Sequence, residues 1–178
     1  MKARKKILLI TSEFPPQPGG IGRHAFDLAH HLALTEEVVV LADQQSSDGI
    51  EEKEFDAQQN FQVRRTPRYA ILLLTYIQRL IIALQLAGKN DVVLVSGKFS
   101  LWQGGLIRLL RYQPIIAIIH GTEVLLGNSY LKKLTELCLQ SFDHVIAVSH
   151  YTLGLVKHLQ LQQTSVIPNG IQLKHQPT

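Results

Sequence analysis

The sequence holds one cysteine, one tryptophan and one methionine in 178 residues. A lone cysteine, Cys138, excludes an internal disulfide and fits a reducing compartment. It sits in an apolar helical stretch and reads as a packed thiol rather than a nucleophile. Charged residues are sparse at 18%, but hydrophobic residues reach 46%, which excludes a mainly disordered chain. No repeat or low-complexity tract is present. No long uninterrupted apolar run is present either. Tyr69–Ala87 comes nearest, but Gln78 and Arg79 break its middle, and a spanning helix needs about 20 apolar residues with few charges. This stretch is a buried or membrane-surface helix instead. The basic start (Lys2, Arg4, Lys5, Lys6) is followed only by Ile7–Ile10 before Thr11-Ser12-Glu13, too short for the core of an export signal. Metal spacing is lacking as well: His30 and His31 are adjacent and face different sides of a helix. No Ser-His-Asp or Cys-His arrangement can be singled out.

The length suits one domain with a substantial core. The formal charge of +4 is unevenly spread. Arg64, Arg65, Arg68 and Arg79 form a basic zone with no acid between Phe61 and Arg79, whereas Asp48, Glu51, Glu52, Glu54 and Asp56 crowd one connection. A basic zone of this kind suits anionic lipid, phosphate or nucleic acid. The acidic connection, Gln44–Asn60, reads as a solvated mobile loop.

Short aliphatic runs alternate with longer helical ones. Lys6–Thr11, Glu37–Ala42, Gln62–Thr66, Asp91–Ser96, Pro114–Ile119, His144–Ser149 and Ser165–Ile167 read as strands. Four are nearly continuous in aliphatic residues, as in parallel strands covered on both faces. Helices are predicted over Gly22–Leu34, Tyr69–Ala87, Phe99–Tyr112, Tyr130–Ser141 and Tyr151–Leu159. The alternation predicts an α/β fold, a Rossmann-like, doubly wound, mainly parallel sheet. Ligands of such folds sit beyond the carboxyl ends of the strands, which directs attention to Glu13–Arg23, His120–Glu123, Ser149-His150 and Pro168–Ile171.

In Glu13-Phe-Pro-Pro-Gln-Pro-Gly-Gly-Ile-Gly-Arg23, glycines before a helix permit close approach to backbone. The helix N-terminus and Arg23 suit a phosphate or carboxylate. A plain tight turn at Gly19, Gly20 and Gly22 is the simpler alternative. Gly20-Ile-Gly-Arg-His-Ala25 also satisfies the G-x-G-x-x-A dinucleotide fingerprint, with Asp43 placed as a ribose-binding acid. Those glycines normally follow the first strand at once, and Ser12–Gly19 interpose here, which disfavours a nicotinamide dehydrogenase. His120-Gly-Thr-Glu123 closes the fifth strand as a polar ligand site, or as a histidine and acid bonded together to brace a loop.

Together these segments resemble glycosyltransferase family 4, the retaining enzymes of the two-domain GT-B architecture. The resemblance is carried by Glu13–Arg23 with His24-Ala-Phe-Asp-Leu-Ala29, by His120-Gly-Thr-Glu123, by Asp143-His-Val-Ile-Ala-Val-Ser149 and by Val166-Ile-Pro-Asn-Gly-Ile171. It implies an acceptor-side domain over 1–167 and, over 168–178, the start of a linker to a C-terminal donor-binding domain that lies outside the sequence. The implied activity is transfer of a sugar from a nucleotide-sugar to a glycan, lipid or small-molecule acceptor. The chain by itself is expected to be inactive. His120 would be the catalytic contact near the anomeric carbon; Gly19, Gly20, Arg23, Thr122, Glu123, Ser149 and Asn169 would bind donor or sugar. No metal, cofactor or nucleic acid is implied. The implied location is cytoplasmic, with peripheral contact at the inner face of the membrane where the acceptor is a lipid. A non-catalytic binding module of the same fold is the alternative.

Overall fold

The computed structural model describes residues 3–67 and 69–170. Arg68, Ile171 and the rest of the expected linker to residue 178 lie outside the described residues. Seven parallel strands run in the order β3-β2-β1-β4-β5-β6-β7. They are β1 (Lys6–Thr11), β2 (Glu37–Asp43), β3 (Gln62–Thr66), β4 (Val92–Ser96), β5 (Ile115–Ile119), β6 (His144–Ala147) and β7 (Thr164–Val166). The helices are α1 (Gly20–Leu32), α2 (Ile50–Ala57), α3 (Leu72–Ala87), α4 (Lys98–Leu110), α5 (Ser129–Ser141) and α6 (His150–Val156), the last followed by a 3-10 turn at Lys157–Leu159.

The central strands are aliphatic throughout because both faces are covered. β1 lies between β2 and β4, with Leu8 opposite Val39 and Val93, and Leu8, Leu9 and Ile10 are fully buried. One face packs under α1 and α2 around Phe14, Ala25, Ala29 and Phe61. The other packs under α3 to α6 around Ile10, Val95, Leu101, Ile119 and Leu139. Successive strands step outward from β1 to β3, and the chain then crosses back to β4. The order therefore reverses between β1 and β4, which opens a crevice at their carboxyl ends.

One expectation fails. Within Gln44–Asn60, expected as a mobile loop, Ile50–Ala57 forms α2. The acids that suggested a solvated loop stabilise it. Glu51 and Glu52 lie in the first turn, where the helix dipole favours negative charge. The buried Glu52 carboxylate accepts from the backbone N–H of Gln45 (2.9 Å) and Ser46 (2.7 Å) and from the Ser46 hydroxyl. Burial alone would raise its pKa, but these bonds hold it down at about 2. Phe55, the apolar residue in mid-helix, turns inward onto Phe14 and Phe26.

Arg79 is the second surprise. In sequence it belongs to a basic zone; in the fold it is 2% exposed, inside α3. Its guanidinium bonds Asp43, the Gln103 side chain (2.9 Å) and the Thr11 carbonyl (2.8 Å). Burial lowers its pKa to about 10, which leaves it charged at neutral pH. Arg65 is likewise taken, paired to Asp56 at 2.8 Å. Two of the four arginines of that zone are thus internal braces rather than a surface for anions.

Candidate functional site

The crevice between β1 and β4 holds a cleft of about 520 Å³. Ser12, Glu13 and Ile21 form one wall; Gly97, Lys98 and Phe99 form the opposite one. Asp43, Gln45, Thr75, Tyr76, Arg79 and Thr122 complete it. Each wall is placed by local chemistry. The loop after β1 is pinned by Phe14, 1% exposed and packed edge-on against Phe26, Phe55 and Phe61. Arg65 lies over the Phe14 ring and donates to the Pro15 carbonyl. Thr11 Oγ1 donates to the Glu13 carbonyl at 2.9 Å. Gly22 allows α1 to press on this loop: a Cβ there would meet the backbone of Glu13 and Phe14 at 3.1 Å. Gly19 and Gly20 open α1 beside Ile21, and nothing lies within 4 Å of a Cβ built at Gly20.

His120 follows β5 and lies beside the cleft, linked to its wall through Ser96. Its Nε2 is 3.0 Å from Ser96 Oγ, and its ring meets that of His24, from α1, edge-on with centroids 5.0 Å apart. Burial lowers the pKa of both rings, and the charge of His120 lowers that of His24 further. The pair is therefore neutral at pH 7. Glu123 does brace the loop, but through backbone rather than through the histidine ring. Its Oε2 accepts from the N–H of His120 (3.1 Å) and Gly121 (2.9 Å). Gly121 stands at φ 114°, a conformation that suits glycine. Burial pushes the Glu123 carboxyl up against those two bonds, and its Oε1 is buried without a partner among the described residues.

Of the residues picked from sequence, the structure puts Thr122 on the cleft wall, while Gly19, Gly20, His120 and Glu123 are near neighbours in the chain of the wall residues Ile21 and Thr122 and do not line it themselves. It does not bring the others to the cleft wall. Arg23 lies along the outer side of α1, paired to Asp27 at 3.0 Å and over the Phe26 ring. Ser149 caps α6, its hydroxyl accepting from the Thr152 N–H at 3.0 Å. Asn169 is exposed beyond β7. Asp43, the acid of the dinucleotide reading, is occupied by Arg79 and by Thr66 Oγ1. Sequence reasoning missed Gly97, Lys98 and Phe99. The available signal was a glycine between an aliphatic strand and a helix; Gly97 has φ 88°. It also missed Tyr76, inside a helix read only for its apolarity. Among the described residues no group of three histidine, cysteine, aspartate or glutamate side chains converges as a metal site, and no helix is long and apolar enough to cross a membrane.

An all-parallel sheet in this order, with its cleft at the strand-order reversal, is a Rossmann-like domain of the kind that forms one half of GT-B proteins. Residues 18–175 match Glycosyltransferase Family 4, and the chain belongs to that family. HepE of Anabaena, solved with UDP and glucose, superposes with a TM-score of 0.73 at 18% identity, over 94% of this chain and 45% of HepE. Sucrose-phosphate synthase of Thermosynechococcus elongatus gives 0.68 at 18% identity, over 93% and 48%. UDP-N-acetylglucosamine 2-epimerase of Rickettsia bellii gives 0.64 at 11% identity, over 91% and 44%, so the likeness defines a fold and not a reaction. The chain spans about half the length of these proteins. Among curated proteins none matches the sequence significantly.

Proposed function

We propose that this domain forms the acceptor side of a retaining glycosyltransferase, which moves a sugar from a nucleotide-sugar donor to an acceptor held in the β1–β4 cleft. The carrying observation is the placement of His120. It stands at the carboxyl end of a central strand, beside the cleft, oriented by Ser96 and kept neutral by burial. A neutral imidazole there can hydrogen-bond a sugar hydroxyl without repelling the positive charge that develops at the anomeric carbon. Gly20 leaves room for a phosphate or sugar over the start of α1, Gly19 lies against the Glu13 carboxylate, which can accept from a sugar hydroxyl, and Thr122 supplies a hydroxyl on the cleft wall. Arg23, Ser149 and Asn169 share the carboxyl edge of the sheet, where a second, donor-binding domain would face this one. Glu123 acts by fixing the turn that carries His120.

The reaction so proposed takes the nucleotide-sugar as substrate and needs no resident metal or cofactor. The donor-binding partner would be further polypeptide or a separate subunit, in keeping with neighbours about twice as long, one of which, HepE, was solved with UDP, with UDP and glucose, and with UDP-glucose. The 178-residue chain alone is then expected to unfold cooperatively and to transfer no sugar. Turnover from a panel of sugar nucleotides, assayed with and without the donor-binding partner, tests this. Robust transfer by the chain alone would contradict the division of labour, and no transfer with the partner present would contradict the function.

A further inference from the structure

The two aromatic side chains of the cleft are left open by the fold. Tyr76 on α3 is 44% exposed, Phe99 in the first turn of α4 is 38% exposed, and both line the cleft. Their rings stack with centroids 5.6 Å apart and planes 30° from parallel. Trp102, one turn along α4, meets Phe99 edge-on at 5.3 Å, and its indole N–H donates to Thr135 Oγ1 on α5 at 2.9 Å. The Lys98 ammonium lies 5.6 Å from the centroids of both the Phe99 and the Trp102 ring. Contacts from three helices thus hold one aromatic row in place. Tyr76 ends that row: Phe99 is its one ring neighbour, so its second face has no aromatic cover.

The rest of the cleft offers hydrogen bonds. Of its two carboxylates, Asp43 is spent on Arg79. Glu13, on the wall opposite Phe99, is exposed and pairs with no cation among the described residues. Gln45 is oriented by the bond from its Nε2 to the Ser12 carbonyl at 3.3 Å, which leaves its amide oxygen to accept. Thr122 adds an exposed hydroxyl. An aromatic surface therefore faces a set of fixed acceptors and a hydroxyl across a single slot.

We propose that the cleft binds a neutral pyranose of a carbohydrate acceptor, with the apolar face of the sugar on Tyr76 and its hydroxyls on Glu13, Gln45 and Thr122. A pyranose is two-sided in the same way as the slot. Its C–H bonds gather on one face and suit an aromatic ring, while its hydroxyls ring the edge and need acceptors. An acyl chain would strip water from Glu13 and Gln45 and replace none of their hydrogen bonds. A phosphate would be brought against the uncompensated Glu13 carboxylate, with the free ammonium of Lys98 resting on the aromatic side. Sugar binding stands by itself; its role in naming the acceptor rests on the transferase reading.

Saturation-transfer NMR on the purified chain is the test, with methyl glucoside, methyl galactoside and methyl mannoside as probes and the aromatic protons of the protein irradiated. At least one probe should take up saturation, most strongly at the ring C–H protons of one face. Tyr76→Ala should weaken its binding about tenfold and Tyr76→Phe less than about twofold, because the ring and not the hydroxyl is used. Glu13→Gln should weaken it about tenfold through the loss of a charged acceptor. Melting temperatures should hold, since both positions are exposed. Uptake by none of the three probes, or affinity unchanged in Tyr76→Ala, would overturn the proposal. So would tighter binding of glucose 6-phosphate than of methyl glucoside, since a charge would then be read instead of the ring. A chain that binds a methyl glycoside but transfers no sugar with the donor-binding partner present would sink the transferase reading alone. Transfer to a lipid that carries no sugar, at a rate Tyr76→Ala leaves unchanged, would sink the carbohydrate acceptor alone.

Discussion

The two flanks of the sheet solve the same covering problem in opposite ways. Over β1 to β3, α1 and α2 point Phe26, Phe55, Ala25 and Ala29 inward around Phe14, and their acids face outward, pair with Arg65 or, at Glu52, are buried on the backbone of Gln45 and Ser46. Over the opposite face, α3 points Thr75 and Arg79 inward with two alanines, packs Ile82, Leu84 and Leu86 partly against the core, and leaves Leu73, Leu74, Ile77 and Ile81 outward. The first arrangement is complete in water; the second leaves apolar area exposed at the edge of a ligand cleft. Hydrophobic content alone would rank α3 as the best-buried helix of the chain. Its position along the chain, over the crossing from β3 back to β4, decides otherwise.

If that contrast is right, substitutions of similar size should have very different effects on the two flanks. Phe14→Ala removes the anchor of the covered flank and should lower stability by about 3–5 kcal/mol in urea unfolding. Ile77→Ala, on the exposed flank, should stay within about 0.5 kcal/mol. Equal losses at both would erase the distinction.

The polar interior of α3 comes next. Arg79→Met strands Asp43 without its cation and should cost about 3 kcal/mol, since breaking a buried pair leaves an uncompensated charge. Adding Asp43→Asn should recover part of the loss, and simple additivity of the two would show that the pair is not coupled.

A smaller effect separates the Glu52 staple from an ordinary surface acid. Its carboxyl is held at about 2 in the folded chain against an ordinary value of 4.5, so the stabilisation is complete above pH 4.5 and is lost as pH falls towards 2. Glu52→Gln should cost about 1–3 kcal/mol at neutral pH and flatten the acid limb of the stability profile. A mutant profile parallel to that of the wild type would refute this role.

The histidine pair should give the mildest signal. Both rings have folded-state pKa values below the ordinary 6.5, so the unfolded chain binds more protons just below that pH. Melting temperature should therefore drop as pH falls below about 6.5. His24→Gln should shrink the drop, and a drop of unchanged size would place the titrating groups elsewhere.

Much of this molecule was legible in the residue pattern. All seven strands fall within about two residues of the predicted bounds, the central ones because strands covered on both faces leave an unbroken aliphatic signature. The loop after β1 and the His120–Glu123 turn were legible as polar and glycine-rich segments at strand ends. What escaped depends on distant partners. The inward turn of Arg79 depends on Asp43, 36 residues away, and the order of Gln45–Gly49 on one buried carboxylate. α2 is short, with one strongly apolar position inside it, so no periodicity announced it. Lys98 and Phe99 acquire meaning only once the sheet order brings β4 beside β1. Arg23 looked like an anion site in sequence because Asp27, one turn on, was not considered as its partner.

The account centres on His120 as a contact to the transferred sugar rather than a packing residue. Steady-state kinetics and melting temperature measured on one preparation of His120→Ala, assayed with the donor-binding partner, address it directly. The expected result is a variant that stays folded, with a melting temperature lowered by the loss of the Ser96 bond, and kcat per folded protein lowered about a hundred- to thousand-fold, the usual cost of one lost transition-state contact, with KM altered much less. A well-folded variant with near-wild-type kcat would contradict the account.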